Sequence, residues 1–151
     1  MNESVAIILT FLTVWLVGWL FFAWVFARIS GWTTLAKNYL ASDRISGKWW
    51  YFQSALMKPG FGFRATLNIC ANLEGLYISS YFPLNFFQPP VFIPWNNIRG
   101  SEVKGRLRNW VELRFEKTPS IPFTINTWLA NEFEKNLEDA WHYTRLKSAN
   151  K

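Results

Sequence analysis

Residues 5–27, VAIILTFLTVWLVGWLFFAWVFA, run for 23 residues without a charged side chain. No other stretch limits the fold as much. As a helix the run is ~35 Å long, enough to cross a hydrocarbon core of about 30 Å with some tilt. A secretory leader would show a basic start, a shorter apolar run and a small-x-small cleavage site. Here MNES carries no basic side chain and the run ends among aromatics. A membrane anchor over residues 1–28 is therefore the expectation. Trp19, Phe21, Phe22, Trp24 and Phe26 crowd its second half and suit an aromatic belt before Arg28. Ala23 and Ala27 have the small-xxx-small spacing of paired membrane helices. That signal is weak alone, and exposure to lipid is the plainer expectation.

Charge sets the orientation. All 16 basic residues lie from Arg28 onward, whereas Glu3 alone of the 10 acidic residues precedes it. The positive-inside rule then puts the N-terminus outside and residues 28–151 in the cytoplasm, on a single pass through the inner membrane. The net charge of +6 favours a polyanionic partner, either nucleic acid or an anionic membrane surface. Half the chain is hydrophobic and 19% is aromatic, which excludes a disordered composition. The single cysteine, Cys70, forms no intrachain disulfide and reads as a small buried apolar residue.

A short amphipathic linker helix is expected within residues 29–47. Trp32, Leu35, Ala36, Tyr39 and Leu40 recur on one helical face, with Ser30 placed to cap it. This face either packs on the following domain or lies in the membrane interface, and its single lysine, Lys37, favours packing.

Residues 48–151 read as a mainly β domain. KWWYFQSALMK, FGFRATLNIC, LYISSYF, VFIPW, NIRGSEVKG, WVELRFE and IPFTI form about seven short extended runs, separated by turn residues such as Pro59-Gly60. In LYISSYF, Leu76, Ile78, Ser80 and Phe82 alternate with Tyr77, Ser79 and Tyr81. In WVELRFE, Val111, Leu113 and Phe115 share the inner face. VFIPW, interrupted by Pro94, suits an edge. The last element is a helix capped by Asn126 or Thr127. Its stripe of Ala130, Phe133, Leu137 and Trp141 is flanked by Leu129 and Ala140, with Arg145 and Lys147 near its end.

Seven strands closed by one helix resemble the pleckstrin-homology-like superfold, shared by PH, GRAM and bacterial PH domains. GLYIS…VFIPWNNI, residues 75–98, is similar to the pattern seen there. The chain also resembles small uncharacterised bacterial single-pass membrane proteins carrying GW…LA, FP…P…IPW..I and W.ELRF, a likeness that spans residues 31–125. The resemblance implies a bent β-sandwich or barrel closed by the C-terminal α-helix. It transfers no catalytic residue, and a superfold hosts many functions.

Residue patterns that carry chemistry are sparse. His142 has no second histidine or cysteine beside it, so a surface or capping role is expected and no metal or cofactor is called for. Gly60 and Gly62 are a G-x-G fragment without its third glycine, and suit a bend. Asn2-Glu3-Ser4 matches a glycosylation triplet but abuts the membrane. The basic run is more informative. Lys104, Arg106 and Arg108 alternate next to Arg99 and Trp110, as an ordinary solvated loop or as a patch for anionic lipid, an acidic protein or nucleic acid. Before it lies PLNFFQPP, residues 83–90. In an extended chain Phe86 and Phe87 point opposite ways, so one at least faces out, as a stiff apolar tip for lipid or a partner unless it packs on the linker helix. The candidate surface is thus Phe86, Phe87, Arg99, Lys104, Arg106, Arg108 and Trp110. Its partners are the bilayer and an unidentified protein, with a homo-oligomer left open. Nucleic acid needs more assumptions, because a tethered domain already faces headgroups. A non-catalytic membrane-anchored scaffold is the first reading, anionic-lipid binding or sensing the second, and an enzyme the third.

Overall fold

The computed structural model describes residues 2–58 and 60–147. Its elements are helix α1 (Glu3–Ile29), helix α2 (Trp32–Tyr39), strands β1 (Lys48–Lys58), β2 (Phe61–Ala71), β3 (Gly75–Ser80), β4 (Val91–Pro94), β5 (Ile98–Val103), β6 (Trp110–Phe115) and β7 (Thr118–Asn126), helix α3 (Thr127–Asn136) and strand β8 (Tyr143–Thr144). The strands form one open sheet in the order β4-β3-β2-β1-β7-β6-β5-β8. Neighbours are antiparallel except β5 and β8, which run parallel. The mainly β composition, the long apolar helix first and the helix late in the chain all agree with the expectation.

Strand β1 joins two halves, pairing with β2 along its length and with β7 at Leu56↔Thr124. Alternation works as read on β6, where Val111, Leu113 and Phe115 are sealed. It fails on β3. Leu76, Tyr77 and Ile78 are all buried because Trp49 covers Tyr77 from the outer face, with ring centres 5.6 Å apart. Phe82, which the alternation groups with Leu76 and Ile78, is 73% exposed. The strand stops at Ser80, and a turn of 3-10 helix follows at Leu84–Phe86. Pro83 has no N–H to continue a ladder.

Helix α2 packs. Trp32, Leu35, Ala36 and Tyr39 belong to the same core as the strands. The Trp32 indole N–H donates to the Pro89 carbonyl at 2.9 Å, and the Tyr39 hydroxyl accepts from the Lys117 amide at 2.9 Å. Two details differ from the sequence pattern. Leu40 is exposed, because the helix ends at Tyr39 and Leu40 instead forms a bridge with Val91 at the β4 edge. Ser30 terminates α1, and Gly31 takes the N-cap position of α2.

Helix α3 is capped by Asn126, whose side-chain oxygen accepts from the Leu129 amide at 2.8 Å. It is shorter than its apolar stripe suggests. Glu138 and Asp139 take left-handed backbone angles, φ 45° and 68°, and reverse the chain. Trp141 therefore reaches the core from outside the helix, its indole N–H donating to the Ile98 carbonyl at 3.1 Å. The segment then pairs with β5 as an eighth strand. Gly100 permits this, because a Cβ there would lie 2.7 Å from the Trp141 ring and 2.8 Å from the Tyr143 Cβ. Arg145 accordingly does not serve the helix end. It pairs with the Glu134 carboxylate and helps to hold β8.

Helix α1 continues into this fold. Ala23 and Ala27, left to lipid by the sequence reading, are instead sealed at 1% and 2% exposure. Phe26, on the same face, meets Phe61 and Phe63 of β2 at 6.1 and 5.5 Å.

Candidate functional site

The β1–β2 hairpin is kinked on both strands. Phe52 and Ala65 have φ of 55° and 52°, rare for residues with a side chain and costly by about 1–3 kcal/mol each. The β1–β2 register shifts between Trp50 and Gln53 and again before Ala55. The Ser54 hydroxyl accepts from the Ala65 amide at 2.8 Å and pins the irregularity. Bulges of this kind re-aim side chains and gather beside functional sites. Here they border an open cavity of about 630 Å³ between the hairpin and the β5–β6 loop, lined in part by Ser54, Leu56, Gly62, Arg64, Arg108 and Trp110.

The β5–β6 loop supplies the other wall. Gly105 lets it fold tightly, since a Cβ there would lie 2.0 Å from the Arg108 carbonyl oxygen. Arg108 stacks on Trp110 at 4.3 Å from the ring centre. The ion pairs among the described residues join Arg114 to Glu112, Lys135 to Glu132 and Arg145 to Glu134, and add two contacts of His142. Among the described residues Arg64 and Arg108 make no ion pair, which leaves their guanidinium groups able to meet a ligand. Such planar forks match phosphate and carboxylate oxygens. Glu102 steadies the loop from behind. It accepts from the Asn109 side chain at 2.9 Å and from the Leu146 amide at 2.9 Å, and these hydrogen bonds hold its carboxyl below the usual range.

The sequence-derived surface divides among three places. Arg108 and Trp110 line the cavity, and Arg106 stands beside them with Leu107, which is 97% exposed. Lys104 is exposed on the same loop. Arg99 lies apart, paired across strands with Arg114 at the far end of β5, in a separate hollow with Asn97 and Glu116. Phe86 is exposed and packs on Phe82 at 5.5 Å, while Phe87 is half-buried. Sequence reading missed Arg64 and Ser54, because cross-strand proximity leaves no local pattern. Leu107 between Arg106 and Arg108 is the one local sign of an exposed apolar tip on this loop.

Other titratable groups sit elsewhere. Cys70 is sealed, and burial pushes its thiol up to about 11. His142 lies beyond the helix, 3.4 Å from Glu134 and 3.2 Å from Asp139. Among the described residues no three His, Cys, Asp or Glu side chains converge. Burial pushes the Glu134 carboxyl up, but the Arg145 guanidinium and the Tyr143 amide outweigh it and leave it below the ordinary range. The folded state thus binds this proton less tightly than the unfolded state. The pair's contribution is complete above the unfolded carboxylate value and is lost as pH falls through the lower folded value. Glu134→Gln is expected to flatten the loss of stability on acidification from about pH 6 to about pH 3. Unchanged slopes in thermal unfolding across that range would show the pair to be inert.

Comparison with known proteins finds no matching family model, no matching curated protein and no matching solved structure.

Proposed function

We propose that the chain is a membrane-anchored, non-catalytic interaction module that presents an anion-binding cavity beside the bilayer. The observation that carries this reading is the pair of guanidinium groups of Arg64 and Arg108, without an ion pair among the described residues, with Trp110 on an open cavity framed by strained backbone. Strain of this kind persists where the surrounding structure holds it, often at binding sites. The anchor reading draws on α1, 27 residues with mean hydropathy 2.4 in its most apolar window. It is also favoured over a removable leader by the packing of Ala23, Phe26 and Ala27 into the fold. Charge asymmetry supports an outside N-terminus and a cytoplasmic domain at the inner membrane. The pleckstrin-homology-like reading draws on the 4-3-2-1-7-6-5 run of strands and on α3 packing its Phe133 against Trp50 of β1 and Trp95 of the β4–β5 connection.

Anionic lipid is the ligand class best suited to this cavity, because a tethered site meets headgroups at high local concentration. A protein partner is the second reading. It is supported by the exposed aromatic rings of Phe52, stacked on Tyr81, and of Phe82 beside Phe86. The test is titration of the full chain, in a neutral detergent, with short-chain phosphatidylglycerol and phosphatidylcholine. The anionic lipid is expected to bind more tightly, and Arg64→Gln with Arg108→Gln to cost up to about 1 kcal/mol each. Added salt is expected to weaken binding as well. Equal binding of both lipids, unchanged in the double variant, would remove the lipid reading.

A further inference from the structure

We infer that the end of the β1–β2 hairpin is itself embedded at the headgroup–acyl boundary of the bilayer, in the leaflet on the Arg28 side. The inference rests on reading α1 as the membrane span and adds a second membrane contact that the anchor alone does not require. Glu3 and Arg28 bracket the uncharged part of α1. Arg28, with its guanidinium over the Trp24 ring at 4.8 Å, marks headgroup level. Ala23 stands five residues earlier in the sequence, ~7 Å deeper along the helix. At that depth Phe21, Phe22 and Trp24 are 64%, 61% and 42% exposed, as lipid-facing rings would be. On the remaining face Ala23 and Ala27 are sealed, and Phe26 between them meets Phe61 and Phe63. Whatever seals that face must reach the same depth as the exposed rings.

The hairpin end is the element in place to do so. Lys58 donates its ammonium to the Ile29 carbonyl at 3.3 Å, and Phe61 pairs with Lys58 across the strands. Its composition fits the position. Residues 49–70, from the far end of the hairpin through its turn and back, contain no aspartate or glutamate but hold Lys58 and Arg64. Basic side chains on a surface facing anionic headgroups are attracted to it, and a lysine can keep its stem in the acyl boundary while its ammonium reaches outward. The hairpin also forms one wall of the cavity that contains Arg64. Burying its end fixes that cavity at headgroup height, so the domain is set on the bilayer by two contacts and does not swing on a tether.

Depth measurement tests this directly. In the full chain with Cys70→Ala, single cysteines are introduced by Phe61→Cys, Lys58→Cys, Leu73→Cys and Leu12→Cys and labelled with an environment-sensitive fluorophore. The chain is then reconstituted into vesicles of phosphatidylcholine and phosphatidylglycerol. The label at position 12 is expected to be quenched by nitroxides deep in the acyl chains. Labels at 58 and 61 are expected to emit at shorter wavelength than the label at 73 and to be quenched by shallow lipid nitroxides. The label at 73, in the exposed turn at the other end of β2, is expected to respond to aqueous iodide alone. Aqueous quenching at both 58 and 61, with position 12 still deep, would overturn the embedded hairpin and leave the span in place. Aqueous quenching at position 12 as well would overturn the span and the inference with it. Two hairpin positions are used so that a folding defect caused by losing the Phe61 ring does not decide the result.

Discussion

Replacing Phe133 by alanine is expected to destabilise the fold by about 3–5 kcal/mol. The side chain is fully buried, and three tryptophans surround it. Their ring centres lie 5.3 Å away for Trp50, 5.8 Å for Trp95 and 6.3 Å for Trp141. Trp50 belongs to β1, Trp95 to the link between the halves of the sheet, and Trp141 to the segment that leads into β8. Phe133 therefore fills the junction of elements far apart in the chain, and neighbours of that bulk cannot collapse into the vacated space without leaving their rotamers. Thermal unfolding of the full chain in mild detergent, followed by tryptophan fluorescence, is expected to shift down on the order of 10 °C. Trp128→Ala on the same helix, where the ring is 55% exposed, is the control and should stay within about 0.5 kcal/mol. Similar small effects from both would mean that α3 does not close the core.

The elements visible in the sequence are those with a sustained local period. The uncharged run became α1, the strict alternation of β6 gave its inner face, and Asn126 caps α3 as its side chain allows. Strand β8 was invisible for a physical reason. Two residues carry no period, and its partner β5 lies about forty positions away. Trp141 misled because its spacing from Leu137 matches one helical turn, although the chain reaches it through the left-handed pair Glu138 and Asp139. Proximity in sequence also grouped Arg99 with the basic loop. Strand geometry separates them, because Ile98 pairs with Phe115 at one end of β5 and Val103 with Trp110 at the other. The alternating basic residues of the loop were legible, but not the opposing hairpin wall. Which strands face each other across a cavity is set by the whole sheet. The expectation for Phe86 and Phe87 assumed an extended chain, and the 3-10 turn replaced that geometry while still exposing Phe86.

Trp32→Ala is expected to cost about 3–5 kcal/mol and to loosen two connections at once. Trp32 is fully buried at the first position of α2, just after α1 ends, and its ring lies 5.4 Å from Phe63. Its indole N–H is the donor for the Pro89 carbonyl, 57 positions along the chain. The residue thus fastens the start of α2 to the hairpin through its ring and to the β3–β4 connection through its hydrogen bond. Alanine leaves a cavity and an orphaned carbonyl. Trp32→Phe keeps most of the volume and removes only the donor, so its cost should be near the penalty for an unsatisfied buried group, about 1–3 kcal/mol. The two variants separate packing from hydrogen bonding, and each is measured by thermal unfolding of the full chain in detergent. Limited proteolysis within residues 81–90 should quicken in both, because both release the Pro89 carbonyl. An alanine variant no less stable than the phenylalanine variant would mean that the indole hydrogen bond, and not the packed ring, holds α2 to the sheet. Unchanged proteolysis in both would mean that residues 81–90 are held independently of α2.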